Sequence, residues 1–279
     1  YTVRVSGSAS QMFASTDLGI SWNAYPHATI AGGSSAGNVT FTSNTQILYA
    51  ISEKEGDFIP VRSSDGGRSW NPINDPTFGG AYYIHADPAS INRLIVSDYT
   101  DVYFSSDGGA NWTIAISEIS DGAYGCYIAG VLFDGTYIMI ATQAGIYTSD
   151  DDGLSFIKDS FYEFPKETGI ISFTYGVSGN LYRLACLTGP IEMLYPGIEP
   201  DEITAYDELY VMDVINGQSG DWISRKSALP GTFLPNHLVM SMNDPSRLYL
   251  AGSNDMNEPV ILRSVNGGNA FTSVFKTEN

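Results

Sequence analysis

This 279-residue sequence predicts an all-β architecture of repeated four-stranded antiparallel units, on three observations. Aromatics make up 13% of the chain and charged residues only 16%, with 29 Gly and 13 Pro, the composition of short strands joined by tight turns. An eight-residue motif recurs five times with the pattern Ser-x-Asp-x-Gly-x-x-Trp/Phe. The spacing of that motif fits one four-stranded β-propeller blade per repeat.

The motif copies are Ser15–Trp22, Ser63–Trp70, Ser105–Trp112, Ser149–Phe156 and Ser264–Phe271, the last with Asn266 in place of Asp. An eroded copy is read at Ile215–Trp222, where only the aromatic keeps register. Successive aromatics, at 22, 70, 112, 156, 222 and 271, lie 48, 42, 44, 66 and 49 residues apart. The 66-residue interval is one blade plus an insertion.

An apolar strand precedes each intact copy, for example FIPVRS, DVYFSS and PVILRS. Upstream of that strand comes another, such as QILYAIS or RLIVSD, and upstream again a first strand such as AYYIHAD or HLVMSMND. The nearly continuous apolar runs suit strands buried on both faces. Six blades are expected, the first lacking its first strand, with seven blades or part of a larger propeller as alternatives. Residues 1–279 are read as a single propeller domain, with a fragment of a longer chain as the alternative.

A net charge of −18 repels phosphate backbones and anionic surfaces, so nucleic acid is excluded as a partner. No apolar run reaches the length of a membrane-spanning helix, so no membrane insertion is expected. Cys126 and Cys186 sit in apolar strands without CxxC spacing and read as buried thiols, with a disulfide as the alternative. His27, His85 and His237 are isolated; no metal and no cofactor is expected. The Asp150–Asp152 run falls inside a motif copy and reads as a turn rather than a calcium loop.

The repeated motif resembles that of the Asp-box, or BNR-repeat, propellers, with blades most like those of xyloglucanase and sortilin-type propellers. The resemblance implies that the box joins the third and fourth strands of a blade, and that Asp17, Asp65, Asp107 and Asp151 are structural. It implies also that ligands meet the opposite face, formed by the second-to-third loops and the blade connections. That face carries Glu55 and Asp57 in SEKEGD, Asp98, Tyr99 and Asp101 in SDYTD, Tyr195 and Tyr206 in the blade-five insertion, and Asp255 in GSNDMNEP.

Rings that stack on sugars beside carboxylates that bind hydroxyls suit a neutral polysaccharide. Paired carboxylates can also act as general acid and base at a glycosidic bond. Asp98 and Asp255 are the expected catalytic pair; Tyr99, Asp101, Glu55, Asp57, Tyr195 and Tyr206 are the expected substrate contacts. The reading is an extracellular or periplasmic, carbohydrate-engaging propeller, with a xyloglucanase-like hydrolase as its enzymatic version. The alternative is a non-catalytic module recognising a protein or glycan through its acidic face; a second propeller is a further candidate partner. The Arg-Ile-Pro signature and arginine triad of sialidases find no match.

Overall fold

The computed structural model describes residues 2–6, 11–15, 21, 23–25, 37–117, 125–159, 168–190 and 208–276. Among these residues nearly all the regular structure is β, in six antiparallel sheets whose strands follow one another in chain order. The first sheet has three strands, β1 (Thr2–Ser6), β2 (Gln11–Ser15) and β3 (Asn23–Tyr25). The second holds β4 (Gly37–Phe41), β5 (Leu48–Lys54), β6 (Asp57–Ser63) and β7 (Asn71–Pro72). In the third are β8 (Tyr83–Ala86), β9 (Leu94–Ser97), β10 (Val102–Ser105) and β11 (Thr113–Ile116).

The fourth sheet comprises β12 (Ile128–Asp134), β13 (Tyr137–Thr142), β14 (Gly145–Ser149) and β15 (Ile157–Lys158). The fifth has β16 (Thr168–Ser178), β17 (Leu181–Pro190) and β18 (Glu208–Ile215), and its outer edge is split between β19 (Gln218–Ser219) and β20 (Ile223–Ser224), both paired with β18. The sixth consists of β21 (Leu234–Ser241), β22 (Asp244–Ser253), β23 (Pro259–Ser264) and β24 (Thr272–Lys276). A 3-10 turn at Lys226–Ala228 follows β20.

Two compact units result. One takes residues 1–126, 133–137 and 149–156; the other takes 127–132, 138–148 and 157–279. In the first unit, β5 shows why the sequence runs were continuously apolar. Tyr49 and Ile51 pack with Ile84, Leu94 and Val96 of the third sheet, while Leu48 and Ala50 point the other way onto Val61 and Trp70. Alternate residues of a strand face opposite sides, so a strand sandwiched between layers must be apolar at every position. In the second unit the fifth and sixth sheets meet in one core, with Leu187, Leu209 and Val211 against Leu238, Leu248 and Leu250. Side chains of this size each contribute roughly 1.5–3 kcal/mol when fully buried. Cys126 and Cys186 are free thiols within the buried regions. Burial first, then the charges of Asp98 and Asp101, push the Cys126 thiol up to about 12.

Candidate functional site

The four described copies of the repeated motif share one hydrogen-bonded turn. The serine hydroxyl donates to the oxygen of Asp65, Asp107, Asp151 or Asn266 two residues on, at 2.8–2.9 Å. It also accepts the N–H of the glycine four residues on, Gly67, Gly109, Gly153 or Gly268. The same Asp or Asn oxygen caps a backbone N–H further along the turn, at Ser69, Asn111, Ser155 and Ala270.

The second carboxylate oxygen takes a side-chain donor, Ser69, Asn111 or Ser155, at 2.6–2.7 Å. In the sixth sheet Asn266 offers no second acceptor, and residue 270 is Ala. The Asn111 amide, although within an Asn-x-Thr triplet, is committed to this turn.

These bonds hold three carboxyls at about 2. At Asp65 burial pushes the group up, but the bonds from Ser69, Ser63 and Arg68 outweigh it. At Asp107 the Asn111 amide leads, and at Asp151 the Ser155 hydroxyl. Each turn is also tied to the first-to-second connection of its own sheet, by Gly66 to Gln46, Gly108 to Asn92 and Asp152 to Thr136, and in the sixth sheet by Gly267 to Ser246 at the start of β22. The two turns therefore share one end of each sheet. Asp65, Asp107 and Asp151 are consumed in turn formation.

Ile215–Trp222 departs from the expectation of an eroded copy. Asn216 and Gly217, both in the left-handed region (φ 52 and 77), close a two-residue hairpin between β18 and β19. Asn-Gly at such a turn matches the twist of the flanking strands.

At the opposite sheet ends, the first unit brings several expected residues onto one ribbon. The β5–β6 connection is a two-residue turn at Glu55–Gly56, tighter than the SEKEGD loop expected. Beside it, Phe58 exchanges backbone bonds with Gly79 and Ala81, and Tyr82 donates to Ser97. Tyr99 accepts at its carbonyl from Cys126, and the Tyr82 and Tyr99 rings lie 6.2 Å apart at 50°. The order across the ribbon is Asp57 and Phe58, Phe78 to Tyr82, then Asp98 and Tyr99.

Four aromatic rings on this ribbon face solvent. Phe78 is 95% exposed, Phe58 51%, Tyr82 50% and Tyr99 42%. Phe78 has φ +54, a strained conformation for a bulky residue. Its loop is braced by Asp75, whose carboxylate accepts from the N–H and hydroxyl of Thr77 and from Gly79 N–H. Sequence reasoning found Tyr99, Asp57 and Asp98 but not Phe58, Phe78 or Tyr82.

Asp98 organises the β9–β10 loop. Its Oδ1 accepts the N–H groups of Thr100 and Asp101 at 2.8 and 2.7 Å, and its Oδ2 accepts the Tyr103 hydroxyl at 2.9 Å. Burial, followed by Asp98 itself, raises the Tyr103 hydroxyl well above its ordinary range. Glu55 is exposed at the hairpin tip with φ 58. Asp255 is exposed in the second unit, in a loop whose shape is set by Asn254, which caps Met256 and Glu258. Asp17, Tyr195 and Tyr206 lie outside the described residues. A groove of about 380 Å³ lined by Tyr49, Arg62, Asn74 and Asp107 lies at the third sheet's box turn.

The fold is that of the β-propellers. A GH74 xyloglucanase from Xanthomonas campestris superposes on 95% of the chain with a TM-score of 0.66 at 16% identity. The GH74 enzyme of Niastella koreensis matches 94% of the chain, with a TM-score of 0.62 at 15% identity. The chain spans 42% of the length of each of those two enzymes. YCF48 bound to a D1 peptide matches over 96% of this chain and 76% of its own, with a TM-score of 0.56 at 16% identity. No protein-family model and no curated protein sequence matches the chain.

Proposed function

We propose that this chain is a carbohydrate-engaging propeller that takes a neutral polysaccharide along the ribbon from Asp57 to Tyr99. The observation that carries the reading is the set of exposed rings, Phe58, Phe78, Tyr82 and Tyr99, set beside Asp57 and Asp101. Flat apolar faces stack on the C–H faces of pyranose rings, and carboxylates between them accept sugar hydroxyls. A run of neighbouring exposed aromatic rings marks an interaction site. The likeness to GH74 enzymes supports a glycan as ligand, and an extracellular or periplasmic setting accords with it. Calorimetric titration with xyloglucan oligosaccharides tests the proposal. Saturable binding weakened about tenfold by Tyr99→Ala or Phe78→Ala is expected, as for truncation of a central aromatic anchor. Binding untouched by both substitutions overturns it.

Hydrolysis, with Asp98 of the first unit and Asp255 of the second each a separate candidate carboxylate, is the enzymatic version, supported by the GH74 likeness and by the exposure of Asp255. Against it, Asp98 has both oxygens engaged by its own loop and Tyr103, so it must break that loop to reach a substrate. The binding function is therefore the better-supported half. Reducing-end release by the wild type, abolished in Asp98→Asn and Asp255→Asn while oligosaccharide binding persists, is the result that establishes catalysis.

A further inference from the structure

In two of the described box turns the fifth residue is a glycine pressed onto a side chain preceding it in the chain, and in a third it lies at ordinary contact distance. A Cβ on Gly109 would stand 2.5 Å from Ile73 of the second sheet, one on Gly153 2.6 Å from Phe104 of the third, and one on Gly268 3.4 Å from Val211 of the fifth. The fifth sheet has no box. Its Asn216–Gly217 hairpin is tighter, and its outer edge breaks at Gly220–Trp222 between β19 and β20.

A cavity of about 290 Å³ lies there, in the second unit. Met139 and Ile146 of the fourth sheet form one wall, Met212 and Trp222 of the fifth another; Asp159, Asp221 and Ser219 complete the lining. The first three are buried, at 5%, 3% and 8% exposure, and Asp221 is exposed.

We infer that this cavity, opened by the loss of the box, is a binding site for an alkylammonium group, an unbranched apolar chain ending in a positive charge. Thioethers and an aliphatic side chain accommodate a methylene chain of varied path. An indole face attracts a cation more strongly than other aromatic side chains do. The exposed Asp221 carboxylate receives the ammonium and, with the −18 net charge of the chain, rejects fatty acids and phosphates. The volume falls just under the range of ligand pockets, roughly 300–1,000 Å³, which suits such a chain better than a nucleotide or a disaccharide. A lysine side chain of a polypeptide and a free aliphatic amine present the same chemistry.

Titration of the whole chain with n-pentylamine, n-pentanol and N-acetyl-lysine methylamide tests the inference, read by the Trp222 indole N–H resonance. Pentylamine is expected to shift that resonance saturably and to bind about tenfold more tightly than pentanol, the margin of one charge-assisted hydrogen bond. Asp221→Asn should remove about tenfold of the pentylamine affinity, and Ser219→Phe, which adds a ring to the lining, should abolish the shift. Lysine amide binding more tightly than pentylamine supports a polypeptide occupant; the reverse supports a free amine. Equal affinity for pentylamine and pentanol, or an unmoved Trp222 resonance, overturns the site.

Discussion

Gly153 and Gly135 offer a paired test of how the box turn bears on packing. Both have positive φ, +83 and +58, and both belong to the first unit. Adding a Cβ to a residue in the left-handed region costs roughly 1–2 kcal/mol at either position. At Gly135 nothing lies within 4 Å of the added carbon, so Gly135→Ala should cost no more than that. At Gly153 the new carbon meets three atoms of the buried Phe104 ring at 2.6–2.8 Å. Overpacking of this kind adds typically about 1–3 kcal/mol, which brings Gly153→Ala to about 2–5 kcal/mol. Urea unfolding monitored by fluorescence and circular dichroism measures both. Equal losses in the two variants would refute the claim that box glycines are required for close approach between sheets and not only for turn conformation.

Other consequences follow from the same contacts. Arg93 pairs with Asp87 and Asp152 at 2.9 Å each and stacks over Phe133, so Arg93→Met leaves the 3%-exposed Asp87 carboxylate with fewer donors. The expected loss is about 2–4 kcal/mol, read from the urea midpoint, with only partial recovery in Arg93→Lys. Asp65, Asp107 and Asp151 are held at about 2 against an ordinary 3.8, so their contribution to stability is complete above that ordinary value and is lost as pH falls through about 2. Unfolding midpoints measured from pH 6 to pH 2 should fall most steeply over that window, and less steeply in Asp107→Asn. Phe78→Gly relieves a positive φ and should hold or raise stability by up to about 1 kcal/mol while weakening glycan binding, a split visible by calorimetry beside thermal unfolding.

Much of the fold was legible because its marker is local. Ser63, Asp65 and Gly67 build their turn from side-chain bonds to backbone within eight residues, so the pattern survives in the sequence wherever the turn does. The same locality explains the departure at Ile215–Trp222. Alignment on the aromatic alone suggested a degraded box, whereas Asn216-Gly217 carries its own, stronger turn signal. Asp98 was found because it directly follows an apolar strand, but that position is shared by ligand-binding and loop-capping carboxylates. Only the bonds to Thr100, Asp101 and Tyr103 reveal that it caps its loop. Phe78 and Tyr82 escaped notice because exposure within a connection has no periodicity to betray it, and the backbone contacts that align Phe58, Tyr82 and Tyr99 join segments far apart in sequence.

On the proposed function the ligand lies along the ribbon from Asp57 to Tyr99 and leaves the box turns free. Amide hydrogen exchange with and without a saturating xyloglucan oligosaccharide separates the two surfaces. Slowed exchange at residues 57–58, 78–82 and 98–101, with the turns at 63–70 and 105–112 unchanged, is the predicted pattern. Protection confined to those box turns, with none on the ribbon, would contradict it.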